Sequence, residues 1–117
     1  VDEHLQWFER AREFQRSGDP GEVSFRKAAL RRLDAAFESR ERELLEALRF
    51  DLGKPELEAY ASEVGFVRAD IRHALRHVAR WARPGRRPTP WGLLPASSRV
   101  RPEPLGVVLI IGPWNYP

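Results

Sequence analysis

The last six residues, Gly112, Pro113, Trp114, Asn115, Tyr116 and Pro117, hold the densest set of groups able to do chemistry. Gly112 lets the backbone approach a ligand closely, and Pro113 and Pro117 stiffen the turn, so the side chains between them keep fixed directions. Trp114 offers a broad apolar face, and Asn115 offers two amide N–H donors that need no ionisation. A donor held rigidly in this way stabilises negative charge that develops on an oxygen, and losing one costs about 2.7–4 kcal/mol of transition-state stabilisation. The residues alone also allow a plainer role, in which Asn115 hydrogen-bonds its own turn.

The stretch before the turn must position it. Residues 105–111, LGVVLII, contain no polar side chain, so a strand over 106–112 has apolar side chains on both faces. Such a strand belongs inside a parallel sheet flanked by helices. In open α/β sheets the working residues sit at the carboxyl ends of strands, which is where the turn lies. No other stretch reads as a second central strand. The neighbouring strands are therefore expected beyond Pro117, and the chain is expected to be the N-terminal portion of a larger α/β protein.

Upstream, the apolar residues recur at helical spacing. Leu5, Phe8 and Ala11, with Trp7 and Phe14 beside them, predict a first helix that Gly18 ends, followed by a turn at Asp19-Pro20-Gly21. Ser24 is the expected cap of a second helix carrying Phe25, Ala29, Leu33, Ala36 and Phe37. Ser39 is the expected cap of a third, with Leu44, Leu45, Leu48 and Leu52 as its buried stripe. Gly53 is placed to close that helix in the left-handed conformation. From Pro55, the series Leu57, Tyr60, Val64, Val67, Ile71, Leu75 and Val78 predicts a helix reaching about Arg83. It would span roughly 40 Å at 1.5 Å per residue, which suits packing against something larger. Most of the ten prolines fall at or after Pro84, which sets a boundary there. Residues 97–104 then read as an exposed strand or hairpin arm, because proline is tolerated at sheet edges.

Several other chemistries are disfavoured. The chain has no cysteine, which excludes disulfides and thiolate sites within it. Arginine is interspersed with glutamate along the helices, as on a solvated face, and this argues against nucleic-acid binding. His73 and His77 stand one helical turn apart, but on the face opposite Ile71 and Leu75 and without a third ligand, so no metal site is expected. Glu56, Glu58 and Glu63 read as solvated residues of an outer face. Trp7, Phe8 and Phe14 read as core-facing, while Trp81 and Trp91 flank the boundary at a domain seam or a subunit interface. No apolar run approaches the roughly 20 residues needed to cross a bilayer, and the expectation is a soluble, cytoplasmic protein. Residue 1 is valine, which leaves room for a trimmed targeting segment.

LGVVLIIGPWNYP resembles the segment of the aldehyde dehydrogenase superfamily that leads into its nicotinamide site. Residues 41–71, ERELLEALRFDLGKPELEAYASEVGFVRADI, resemble the long N-terminal helices of its class 3 branch. The resemblance covers most of the chain from Ser24 onward; residues 1–23 are the least specific. It implies an α/β fold of Rossmann type, of which this portion is mostly helical, with a hairpin arm and one buried strand. Residues 1–84 would be helices flanking the cofactor-binding domain, and 85–104 an oligomerisation hairpin or linker. Residues 105–117 would be the first strand of the cofactor-binding sheet and its nicotinamide and oxyanion loop.

In that family a cysteine thiolate attacks an aldehyde, the thiohemiacetal passes hydride to NAD or NADP, and a glutamate assists hydrolysis of the thioester. Asn115 matches the asparagine whose amide holds the oxyanion. Ile111, Gly112, Pro113 and Trp114 match the loop beside the cofactor. The resemblance also implies a homodimer or higher homo-oligomer. The catalytic cysteine, the catalytic glutamate and the remaining cofactor residues are expected after Pro117, so the 117 residues alone are expected to be inactive. The residues leave a second function open: a stand-alone helical interaction module whose C-terminal tail adds a strand to a partner's sheet.

Overall fold

A computed structural model describes residues 2–117, apart from the side chain of Asp2. Helix α1 (Asp2–Arg16) is followed by a 3₁₀ turn (Asp19–Gly21), then α2 (Val23–Ser39) and α3 (Glu41–Leu52). A long helical rod comes next, built from α4 (Glu56–Ala59), a π-helical turn (Tyr60–Val64) and α5 (Gly65–Trp81). Strands β1 (Gly85–Arg87) and β2 (Ser98–Val100) pair antiparallel, with Arg86 opposite Arg99, and a short 3₁₀ turn (Trp91–Leu93) lies in the loop between them. The Ser98 N–H donates to Thr89 Oγ1 at 2.9 Å, which closes that loop. No helix among the described residues is long and apolar enough to cross a membrane.

The helices form where the apolar spacing places them, with corrections at their ends. α2 begins at Val23, with Glu22 in the capping position, so Ser24 lies inside the helix. Ser39 is the last residue of α2 and donates its hydroxyl to the Ala36 carbonyl at 3.1 Å; Arg40 occupies the start of α3. Short hydroxyl side chains favour helix ends generally, and a local bond to the preceding turn competes with capping. Gly53, at φ +65°, closes α3 with its N–H on the Arg49 carbonyl, as expected. Pro55 then starts the rod, its carbonyl accepting the Ala59 N–H at 2.9 Å.

The π turn changes which face the rod buries. With an extra residue in the turn, the inward position one turn before Val64 falls on Ala59 instead of Tyr60. Ala59, Glu63, Val64, Arg68, Ile71 and Val78 are buried, while Leu57 and Tyr60 face out. Glu63, expected on the outer face, is therefore an inward residue. The Gly65 N–H donates to the Tyr60 carbonyl five residues back, and a Cβ on Gly65 would lie 2.9 Å from that oxygen. Glycine there is a steric requirement of the turn.

Leu48, Ala59 and Val64 form the core, with Phe37, Leu44 and Leu45 packed against them. Beside it, Arg68 joins three elements. Its Nε donates to Asp34 of α2 at 3.0 Å and its Nη1 to Glu41 of α3 at 3.0 Å, while Arg72 adds a bond to Asp34 at 3.2 Å. The hydrogen bond from Arg68 above all, and then Arg72, hold the Asp34 carboxyl below its ordinary value against an opposing effect of desolvation. The same pairing raises Arg68.

Two expected faces are open. Trp7, Phe8 and Phe14 are largely exposed, although the Phe14 ring meets that of Phe25 at 5.4 Å and so ties α1 to α2. Trp81 and Trp91 are exposed as well. The radius of gyration is 19.7 Å and the extents are 64 × 38 × 25 Å, whereas a compact domain of 100 residues has a radius near 13 Å. The molecule is elongated because helices pack pairwise along the rod without a second layer over their outer faces.

Residues 106–112 do not form the expected buried strand among the described residues. They join no ladder, and Leu109, Ile110 and Ile111 are all more than four-fifths exposed. A strand needs neighbouring backbone groups for its N–H and C=O and covering layers for both faces, and the described residues supply neither.

Candidate functional site

Trp114 and Asn115 form a tight turn at the end of the extended tail. Trp114 is 91% exposed and Ile111 85%. A Cβ added at Gly112 would meet nothing within 4 Å, so the backbone there is open to a ligand. The four residues expected to border a cofactor, Ile111 to Trp114, thus present an accessible apolar surface beside an unobstructed backbone. Asn115 is exposed too, consistent with a donor available to a reacting molecule.

The tail is anchored at its end. Lys54 sits between the left-handed Gly53 and Pro55, in the short link from α3 to α4. Its Nζ ion-pairs with Glu63, lies 3.5 Å from the Asn115 carbonyl oxygen and stands 4.2 Å from the centre of the Tyr116 ring. Tyr116 and Pro117 also border a groove of about 500 Å³ whose floor includes Phe37, Leu44, Leu48 and Val64. A cation over an aromatic face contributes about 0.5–2 kcal/mol, depending on how dry the site is. The Asn115 turn is thereby attached to the helical core across 61 positions of sequence.

The spacing of the chain does not single out Lys54 for chemistry, and it reads Glu63 as a solvated residue of an outer face. A signal existed for Lys54, since it is one of only two lysines in an arginine-rich chain and lies between two residues that fix its backbone. None existed for Glu63, because its inward direction depends on the π turn. The His73 and His77 rings face each other at 4.1 Å, and the His77 ring stacks on Trp81 at 5.7 Å. These rings form an aromatic ladder along α5, remote in sequence from the turn.

Comparison with known proteins gives consistent matches. The sequence model described as "Aldehyde dehydrogenase family" matches residues 3–117. The 4,4'-diaponeurosporen-aldehyde dehydrogenase of Staphylococcus aureus (strain NCTC 8325 / PS 47) is 44% identical over 96 residues, which are 82% of this chain and 21% of that protein. Aldehyde dehydrogenase family 3 member H1 of Arabidopsis thaliana is 42% identical over 108 residues, 90% of this chain and 22% of that one. A solved structure described as the substrate-bound state of Staphylococcus aureus AldH superposes with a TM-score of 0.94 at 40% identity. It covers 97% of this chain and 25% of its own. The chain spans about a fifth of the length of the curated relatives it matches.

Proposed function

The chain belongs to the aldehyde dehydrogenase family, and from that premise we propose that it is the N-terminal part of an NAD(P)-dependent enzyme oxidising aldehydes to carboxylic acids. The observation that carries this reading is that the family match extends to Pro117, and so includes the turn bearing Asn115. Against the alternative of a stand-alone helical module stands the same continuity: one family match runs through the helices, the hairpin and the tail together.

In this reading Asn115 acts on the substrate oxygen. When a nucleophile adds to an aldehyde carbon, the carbonyl oxygen gains negative charge, and an amide N–H aimed at it stabilises that charge more than it stabilises the neutral aldehyde. The nucleophile is a cysteine thiolate contributed from outside these residues, since none of them is cysteine. Asn115 donates without changing protonation, so its contribution does not depend on pH.

Ile111, Gly112, Pro113 and Trp114 would border the nicotinamide end of the dinucleotide. Their exposed apolar surface and the open space at Gly112 fit a flat ring approached closely by backbone. When bound, the dinucleotide supplies the hydride acceptor. The chain's own part is to orient that region and to keep a rigid, water-poor wall beside the reacting carbon. Residues 105–112 would complete their hydrogen bonding as a strand of the cofactor-binding sheet, and the β1–β2 hairpin would serve subunit association in a homo-oligomer.

The test is steady-state kinetics of Asn115→Ala in the longer protein. The expected result is a fall in kcat of about 10²–10³-fold with a smaller change in KM. Unchanged turnover would remove Asn115 from the mechanism.

A further inference from the structure

The geometry points to Lys54 as a positioning residue that holds the Asn115 turn in its working orientation, with Glu63 as the counter-charge that fixes the lysine. This rests on the reading of Asn115 given above. An ammonium group has three N–H donors and no acceptor, and here three partners lie around it. One is the Glu63 carboxylate, one the Asn115 carbonyl oxygen at 3.5 Å, and one the face of the Tyr116 ring at 4.2 Å. The side chains of Lys54 and Glu63 retain only 14% and 9% exposure. A charge pair this sheltered keeps a defined geometry where a surface pair would fluctuate.

The arrangement joins three features of the fold that have no shared purpose otherwise. Gly53 reverses the chain after α3, so that Lys54 leaves the helix end instead of continuing along its surface. Pro55 limits the backbone freedom of the residue before it. The π turn at Tyr60–Val64 rotates Glu63 inward to meet the ammonium group, and π turns within α-helices occur frequently at functional sites. The other two contacts of the ammonium group are with the residue that would hold the oxyanion and with its immediate neighbour. Lys54 contacts the backbone of Asn115 and leaves its side-chain amide free to donate. It does not touch the reacting atoms; it acts through Asn115.

Lys54→Met, Lys54→Arg, Asn115→Ala and the Lys54→Met/Asn115→Ala double variant, made in the longer protein, test this by steady-state kinetics. A small displacement of a positioned group costs on the order of 10- to 100-fold in rate. Lys54→Met is therefore expected to lower kcat on that scale with KM little changed, and Lys54→Arg to recover part of the loss. Adding Lys54→Met to Asn115→Ala is expected to lower kcat no further, because the residue it positions is already gone. Wild-type kcat in Lys54→Met, or a full additional loss in the double variant, overturns the proposal.

Amide hydrogen exchange separates this from failure of the Asn115 reading. If Asn115→Ala keeps full turnover, the mechanism fails on its own account, while exchange still reports the hold on the turn. Lys54→Met should speed exchange at Asn115 and Tyr116 while α3 and α5 stay protected. Unchanged exchange at the turn, or equal loss of protection in the helices, overturns the assignment of Lys54.

Discussion

The helices are about half apolar and the tail almost wholly so, yet it is the helices that find burial. From α2 to α5 the side chains satisfy one another: Leu48, Ala59 and Val64 close a core, and Arg68 neutralises Asp34 and Glu41 beside it. In residues 105–111 a run with no polar side chain lies open along its length. The difference lies in where each finds its hydrogen bonds. A helix makes them within four or five residues of itself, whereas a strand must borrow them from another segment. Hydrophobic content therefore sets a demand for burial and does not by itself meet it.

Point substitutions can break or sharpen that contrast. The largest stability effect is expected at the core: Leu48→Ala should cost about 2–5 kcal/mol by chemical denaturation. In the 117 residues alone, the matched Ile110→Ala in the tail should stay within about 0.5 kcal/mol, as for an exposed position. Equal losses at the two positions would show that the tail is packed in solution. Gly65→Ala comes next, at about 1–3 kcal/mol, because the added methyl would press on the Tyr60 carbonyl. A stable variant whose helix ran through 60–64 without the π turn, with Glu63 turned outward, would show that the turn is a preference of the sequence and not of the packing.

The smallest effect concerns pH. The folded carboxyl of Asp34 lies below its ordinary value of 3.8. Its stabilisation is therefore present above that value and lost as pH falls through the folded one. Acid titration of the helical signal should show α2 loosening from α5 below about pH 4. In Asp34→Asn the protein should be less stable at neutral pH and less sensitive over that acid range. An unaltered acid transition would mean that Arg68 draws its support from Glu41 and from Glu38, whose carboxylate lies 3.5 Å from Arg68 Nη2.

Much of the helical region was legible in the residues. The threefold and fourfold spacing of Leu44, Leu48, Ile71 and Val78 marks buried or half-buried positions, Gly53 marks an end, and the prolines after Pro84 mark the change to a hairpin. Each of these signals is local. The caps at Ser24 and Ser39 misled because serine satisfies its hydroxyl as readily one turn back as at a helix start. The tail is a different case: its composition names the environment it requires, and the described residues do not contain that environment. Within the candidate site, Asn115 and residues 111–114 could be named from a contiguous motif, while the residues that anchor it could not.

The sequence alone determined which segments are helical, where the backbone must turn, and that a rigid amide follows an apolar run. Those properties depend on propensities and spacing within a few residues. Only the tertiary structure decided that Glu63 faces inward, that Arg68 gathers three carboxylates, and that Lys54 reaches a turn 61 residues away. The physical reason is that one extra residue in a helical turn rotates everything on one side of it relative to the other. Directions of side chains are thus properties of the assembled helix, and contacts between distant charges follow from those directions.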